Sequence, residues 1–479
     1  MEVNVKLDDY KYRYDIYHIF NIYFPLQKIN FSHDEGEYDI TVSEEKITYK
    51  HDDVYLEAEF TDKEKPKETI KKLLFKELNR QTGDIYPWGT LIGIRPSKIA
   101  LKHLNEGKSE KDIREIFKNK YYALEEKSQL CIDVARMESK YVNKDPKCVA
   151  IYIGMAFCPT RCLYCSFASN PINGAYKNMV EPYIKALSYE IDCIREYIQD
   201  RGLSIETVYF GGGTPTSVDE IHFENIMNKI YNSFVKDKNI KEFTVECGRP
   251  DSITKEKLET MKKYQVSRIS INPQTMNDDT LKLIGRNHSR QDIIDKFNMA
   301  RELGFSDINM DIIIGLPGEG LEHVQNTISD LKKLKPDSVT IHGLALKRGS
   351  IMFDNFIMKK GLGIKSQEEI AKMYLESKNL ADELGLKPYY MYRQRNMVGN
   401  MENVGYAKEG KHCLYNIEMI EDNQTIIALG ADAVSKVVFM EENRLERFGN
   451  VKDVKEYVNR INELVEGKIA LLDTLYKEE

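Results

Sequence analysis

Three cysteines fall within one short run of this chain, Phe157-Cys158-Pro159-Thr160-Arg161-Cys162-Leu163-Tyr164-Cys165. The residues before them, Val149-Ala150-Ile151-Tyr152-Ile153, are apolar and β-rich and read as a buried strand. The fold must therefore carry three thiols on the loop that leaves the C-terminal end of a core strand. The spacing C-x3-C-x2-C holds three corners of a cubic 4Fe–4S cluster, which ordinarily takes four thiolates. An iron without a protein ligand leaves a place where a small molecule can chelate. A zinc site would need a fourth ligand, which Cys193, Cys247 or Cys413 could supply in principle. Zinc motifs usually pair two C-x2-C knuckles, however, and no second pair exists here. Eight cysteines scattered over 479 residues do not make a disulfide framework. Cys131, Cys148, Cys193, Cys247 and Cys413 read as small buried hydrophobes.

The length allows two or three domains with substantial cores. A net charge of −7 argues against non-specific nucleic-acid binding. Residues 1–10 contain neither a basic n-region nor an apolar h-region, so no signal peptide is expected. No apolar stretch reaches bilayer-spanning length, and no membrane partner is expected. An oxygen-sensitive cluster needs a reducing compartment, so the expected location is the cytoplasm.

Three regions follow from the patterning. Residues 1–145 read as an α+β domain, with alternating strands at 38–42, 46–50 and 55–60, a helix over 69–82 ended by Gly83, and further helices that include 129–141. Within it lies the only tryptophan, in the segment 87–98. That segment reads either as a packed loop before a capped helix, or as a basic contact through Arg95 and Lys98 to an anionic substrate or to the next domain. Residues 146–345 alternate strands (149–153, 207–210, 242–246, 268–271, 308–314, 338–342) with helices (180–198, 218–234, 255–263, 292–303, 321–334). Six βα units with short connections mean a parallel sheet with helices outside. Residues 346–479 form an α+β extension, expected to cover the open face. Cys158, Gly211–Thr214, Glu246, Gln274, Asp311 and His342 all read as lying at or just past strand C-termini, where chemistry gathers in barrels of this type.

The second motif is Tyr209-Phe210-Gly211-Gly212-Gly213-Thr214-Pro215-Thr216. Glycines directly after a strand let the backbone approach a ligand and offer N–H groups to an anion. With the cysteine triplet it resembles the radical S-adenosylmethionine (SAM) superfamily, and an ordered set of further residues narrows the likeness. Tyr152 precedes the triplet, Glu246 ends a strand, Gln274 stands in Asn272-Pro273-Gln274-Thr275, Arg286 in Ile284-Gly285-Arg286-Asn287, and Asp311 in Met310-Asp311-Ile312. This set is similar to the oxygen-independent coproporphyrinogen III dehydrogenase family. The resemblance implies a partial (βα)6 radical SAM barrel and a 4Fe–4S cluster on Cys158, Cys162 and Cys165. It also implies SAM contacts by Tyr152, Gly212, Gly213, Thr214, Glu246, Gln274, Arg286 and Asp311. Arg286 would suit the SAM carboxylate, because a guanidinium binds carboxylates bidentately.

Residues 389–435, with Arg393-Gln394-Arg395 and the Trp88–Lys98 segment, look like the HemZ-type subgroup. Two departures stand out. Phe167 occupies the place of a fourth cysteine found in the best-known dehydrogenases. Tyr415-Asn416-Ile417-Glu418-Met419-Ile420 replaces the His-Asn-x-x-Tyr-Trp element of the related haem chaperones. His412 lies close by and could ligate iron, but a lone loop histidine reads more simply as a surface residue. The implied activity is oxidative decarboxylation of coproporphyrinogen III to protoporphyrinogen IX by a 5′-deoxyadenosyl radical. A flavodoxin or ferredoxin would be the electron donor, and Arg393 and Arg395 would meet the propionates. A haem-binding chaperone or a haem-modifying radical SAM methyltransferase on the same scaffold is the alternative.

Overall fold

The computed structural model describes residues 2–476 except 26, 63, 94, 348, 355–362 and 364. Alternation of buried and exposed residues organises the N-terminal part. Strands Lys28–Ser32, Glu2–Leu7, Tyr38–Val42, Lys46–His51 and Val54–Glu59 make a five-stranded sheet in that order. Its first two pairings are parallel and its last two antiparallel. Val5, Leu7, Ile40, Ile47 and Tyr49 face Ile16, Ile19 and Phe20 of helix Arg13–Tyr23 and Ile70, Leu74 and Leu78 of helix Pro66–Thr82.

That core stops at Tyr86, and from Trp88 onward most buried apolar residues belong to a second, larger core, with a smaller cluster around Tyr389, Tyr390 and Tyr415 beside it. The core boundary therefore falls some 60 residues before the expected one at 145. The reason is that the helices of the 97–138 stretch turn their apolar faces toward the barrel: helix Glu125–Glu138 packs against strand Lys387–Tyr392. Trp88 anchors the junction. Its Nε1 donates to Glu402 Oε2 at 2.6 Å, Lys127 Nζ lies 2.7 Å from Glu402 Oε1, and the Arg393 guanidinium lies 4.9 Å above the indole. Trp88 is fully buried, so the segment is a packed loop, and its Arg95 also pairs with Asp422 of the C-terminal region at 2.8 Å.

Six parallel strands follow in chain order: Cys148–Met155, Ser204–Gly212, Glu242–Glu246, Arg268–Ser270, Ile308–Ile314 and Ser338–Gly343. Helices Val180–Asp200, Glu220–Ile230, Lys255–Lys263, Arg290–Glu302 and Leu321–Leu334 connect them, several started by side-chain caps at Asp219, Thr254 and Ser289. The C-terminal region does not stand apart as a cover. Thr425–Leu429 adds in parallel to the edge at Cys148–Met155, followed by Val434–Phe439 and Arg444–Gly449. Asn403–Ala407 and Lys387–Tyr392 add in antiparallel fashion to the other edge. The result is one eleven-stranded open sheet that shields both edges of the six-stranded unit.

Helix Ile461–Tyr476 locks this addition in place. Glu190 on Val180–Asp200 accepts hydrogen bonds from Lys468 Nζ, Tyr457 Oη (2.6 Å), Asn450 Nδ2 (2.9 Å) and the Gly430 amide (2.8 Å), with both charged side chains fully buried. Removing one partner from such a pair leaves an uncompensated buried charge. Glu190→Ala is expected to cost about 3–5 kcal/mol, read as a fall in the urea midpoint. Arg460→Ala, at an exposed pair with Glu463, should leave the midpoint where it is. Equal midpoints for Glu190→Ala and the parent would refute the buried pair.

Candidate active site

The cysteine loop is held from two sides. Phe157–Cys158 pairs in parallel with Asn170–Pro171, which closes the loop on itself. On the other side the Gly213 amide donates to Met155 O at 2.6 Å and the Thr214 amide to Phe157 O at 2.8 Å. That approach needs glycine: a Cβ on Gly213 would sit 2.5 Å from Phe157 O and 3.1 Å from Cys158 Sγ, and Gly212 takes a φ of +100°. The Gly213 and Thr214 amides are thus spent on the cysteine loop and not on an anion, which agrees with a run placed, as in the radical SAM resemblance, against an amino group. Carbonyl oxygens remain on this turn, and they suit a donor such as an ammonium group.

The first two cysteines of the triplet also have polar neighbours. Thr214 Oγ1 lies 3.4 Å from Cys158 Sγ, and Arg249 Nη1 lies 3.4 Å from Cys162 Sγ. Burial pushes the Cys158 thiol up to about 12 and raises Cys165 as well, so ionising these thiols calls for a metal or other cation beside them. Among the described residues no three His, Cys, Asp or Glu side chains are disposed around a single ion. A cubic cluster, which presents a different iron to each thiolate, makes no such demand.

The remaining predicted residues gather around this loop. Leu163 N donates to Ile284 O at 3.0 Å and Thr160 Oγ1 to Gly285 O at 3.1 Å, which brings the Arg286 turn against the cysteines. Arg286 is buried and donates to the carbonyls of Asn272 (2.8 Å), Pro273 (3.1 Å) and Gly248 (3.0 Å). Nη1 is taken up by two carbonyls and Nη2 by one, so any grip on a ligand carboxylate must use the Nε side of the guanidinium. Only Nε is left without a partner. Gln274 sits in the left-handed region (φ +66°), its backbone bridging Asp311 O and the Ile313 amide, and its buried Oε1 is also unpartnered.

Glu246 ends its strand beside the glycine turn, where a Cβ on Gly211 would lie 2.8 Å from Glu246 Oε2. Burial and the nearby Asp311 carboxylate push Glu246 up to about 8, with the Tyr209 hydroxyl pulling partly the other way. Asp311 and Tyr152 lie within their strands and not at the ends, on inward-facing positions. Burial opposes charge on Asp311, but His342 (Nε2–Oδ2 3.7 Å) and Asn309 Nδ2 (2.7 Å) outweigh it and hold the carboxyl below its ordinary value. Tyr152, Tyr209 and Tyr415 stack as an aromatic wall, with Tyr209 and Tyr415 centroids 4.5 Å apart. Three thiols, a carboxylate in need of a cation, and the orphaned Gln274 Oε1 and Arg286 Nε fit a cluster with a polar zwitterionic ligand at its side.

Other expectations land elsewhere. Arg393 is buried and donates to Leu91 O, Met401 O, Asn400 O and Asn400 Oδ1, which occupies its guanidinium with backbone at the Trp88 junction. Arg395 is exposed and donates to Tyr14 Oη at 3.0 Å in the N-terminal part. Both arginines thus have partners other than the substrate carboxylates expected for them. His412 is no surface residue: it is 6% exposed, between Tyr141 and Tyr389. It lines a cavity of about 450 Å³ with Glu242 and Asp307, at the end of the barrel where strands begin. That places it at the opposite mouth from the cysteines. Arg249 and the Tyr209–Tyr415 stack were not singled out from the sequence as site features. Arg249 sits three residues past Glu246, and an arginine followed by Pro-Asp was the signal available.

The Radical SAM superfamily profile matches residues 152–331. The Bacillus subtilis oxygen-independent coproporphyrinogen-III oxidase-like protein HemZ is 39% identical over 88% of this chain and 85% of its own length. The B. subtilis haem chaperone HemW is 30% identical over 65% of this chain and 76% of its own. Among solved structures, Escherichia coli coproporphyrinogen III oxidase HemN, a radical SAM enzyme, superposes with a TM-score of 0.54 at 20% identity, covering 68% of this chain and 72% of that one, which speaks to the fold. A loop carrying three cysteines on the first strand of an open α/β barrel, with this degree of relatedness, makes the chain a member of the radical SAM superfamily, whose cofactors are a 4Fe–4S cluster and SAM, within its HemZ-type coproporphyrinogen-oxidase-like group.

Proposed function

We propose that this protein catalyses the oxidative decarboxylation of coproporphyrinogen III to protoporphyrinogen IX. The chemistry that the cluster and SAM supply when bound is abstraction of one hydrogen atom; a propionate that loses that hydrogen, carbon dioxide and a further electron, which an electron-carrier protein or the oxidised cluster would take up, becomes a vinyl group. The chain's own part is to hold, orient and exclude water. Cys158, Cys162 and Cys165 hold the cluster. Tyr152, Gly212, Gly213, Thr214, Glu246, Gln274, Arg286 and Asp311 form the SAM pocket, in which the glycine-turn carbonyls and the Glu246 carboxylate receive the ligand's donors and Arg286 Nε offers the remaining one. Substrate carboxylates would meet cations at the rim of the cysteine loop. Lys347, half-buried with Nζ 5.5 Å above the Phe167 ring, and exposed Arg161 are the candidates there, in place of Arg393 and Arg395. A flavodoxin- or ferredoxin-type protein would deliver the electron. No helix of the described residues is long and apolar enough to cross a membrane.

The observation that carries the enzyme reading is Tyr415. It stands where the resembling haem chaperones have histidine, and its buried ring is packed on Tyr209 at 4.5 Å. A phenol committed to an aromatic stack fills space and presents no imidazole to a haem iron. The relatedness to HemW supports the second reading, a haem-carrying chaperone. Anaerobic protein with dithionite and SAM should convert coproporphyrinogen III to a divinyl product with two carbon dioxide molecules per macrocycle. Tight haem retention without any decarboxylated product would overturn the enzyme reading in favour of the chaperone.

Two further outcomes are expected of the site. Reconstituted protein should hold about four irons, and Cys162→Ala should lose both the cluster and SAM cleavage; retained cleavage would remove the cluster assignment. The second outcome concerns Glu246, whose carboxyl is pushed up to about 8 by burial and Asp311. A cationic ligand beside it favours the ionised form, so binding below that pH must expel a proton. Affinity for SAM should therefore fall as the pH drops below about 8, by up to tenfold per unit. Equilibrium dialysis of the cluster-loaded protein from pH 6 to 9 measures this, and Glu246→Gln should flatten the slope.

A further inference from the structure

Arg249 is neither a cluster ligand nor a SAM contact, yet among the described residues it is the one guanidinium found on a thiol of the cysteine triplet. It follows strand Glu242–Glu246 in Cys247-Gly248-Arg249-Pro250-Asp251, where the short helical turn Pro250–Ser252 reverses the chain. The reversal carries the side chain under the cysteine loop, where it is 3% exposed. Nε and Nη2 grip Asp251 bidentately at 2.9 and 2.7 Å. Nη1 is turned to the loop, 3.3 Å from Thr160 O and 3.4 Å from Cys162 Sγ. His288, its side chain fully buried, faces Asp251 from behind (Nδ1–Oδ1 3.6 Å) and blocks the carboxylate from swinging away. Asp251 thus fixes one edge of a planar cation, through two of its nitrogens, and leaves the third nitrogen for the loop carbonyl and the sulfur.

We propose that Arg249 is a positioning residue that sets the reduction potential of the cluster, with Asp251 as the counter-charge that limits its effect. Reduction adds one electron, and the added negative charge spreads over the cluster and its thiolates. A guanidinium N–H pointed at one thiolate stabilises the reduced form more than the oxidised form, and burial strengthens that difference. Arg249 therefore makes the cluster easier to reduce. Its contact with Thr160 O alone would give it a merely structural role, which would alter cluster retention but leave the potential unchanged. The inference rests on the cluster being held by Cys158, Cys162 and Cys165; Cys162→Ala tests that premise through iron content, independently of any potential.

The test compares full-length Arg249→Met, Arg249→Lys and Asp251→Asn proteins after anaerobic reconstitution. Each is titrated with dithionite in the presence of mediator dyes, with the reduced cluster counted by electron paramagnetic resonance and iron measured in parallel. Arg249→Met should keep its iron while the reduced-to-oxidised ratio at a fixed potential falls about tenfold or more, ~59 mV for a one-electron couple. Arg249→Lys should recover most of that ratio. Asp251→Asn, which leaves the guanidinium uncompensated, should shift the ratio the other way. An unchanged ratio in an iron-replete Arg249→Met protein overturns the proposal. If Arg249→Met retains no cluster, the other two variants decide: a raised ratio in Asp251→Asn with a near-parental Arg249→Lys supports it, and a lowered ratio in Asp251→Asn overturns it.

Discussion

Two backbone hydrogen bonds, from the Gly213 amide to Met155 O and from the Thr214 amide to Phe157 O, carry the pairing of the first two barrel strands past the rim of the sheet and into the cysteine loop. Everything at the site is referred to that extension. It fixes the height of Cys158 above the barrel, sets Thr214 Oγ1 beside the sulfur, and leaves Glu246 against the glycine turn. The absent side chains of Gly212 and Gly213 make it possible, because any Cβ there would collide with the backbone of the loop it supports. A glycine run after a strand is commonly read as a cradle for an anion; here the Gly213 and Thr214 amides hold the protein's own loop.

The open sheet is stabilised by additions at both edges and not by closure. Asn403–Ala407 and Thr425–Leu429 take up the hydrogen-bonding groups that an open six-stranded unit would leave exposed. The second addition ends in the Gly430 turn, whose amide rests on Glu190 inside a fully buried network with Lys468 and Tyr457. The helix closing the chain thus supports the strand that flanks the cysteine-bearing one. Mutations far from the thiols in sequence can disturb the loop through this route.

Charge around the site is sorted by depth. The barrel interior is acidic, with His342 and Asn309 beside Asp311 and the Tyr209 hydroxyl beside Glu246, while the cations lie near the thiols: Arg249 at Cys162 and Arg286 in the turn against the loop. A ligand that brings its own positive charge relieves the first set. The second set sits where negative charge on sulfur has to be tolerated.

Local sequence determined much of this protein: the six βα units, most of their boundaries, the cysteine loop at the end of the first strand, and the candidate SAM residues around it. The units and the loop follow from period-2 and period-3.6 patterning and from a motif whose spacing spans a single loop, while the candidate SAM residues came from the family resemblance. The alternation of Val3, Val5 and Leu7 was equally present, but its parallel partners at Lys28–Ser32 and Tyr38–Val42 depend on a crossover helix that patterning does not orient. Tertiary structure alone decided how charged side chains are used. Arg393 and Arg286 both look like carboxylate binders in a string of letters, yet both are occupied by backbone carbonyls contributed by distant turns. Arg249, by contrast, reaches the Cys162 thiol only because one short turn folds back under the loop. The partner of a guanidinium is set by which buried acceptors converge on it, and that convergence is a property of the packed chain.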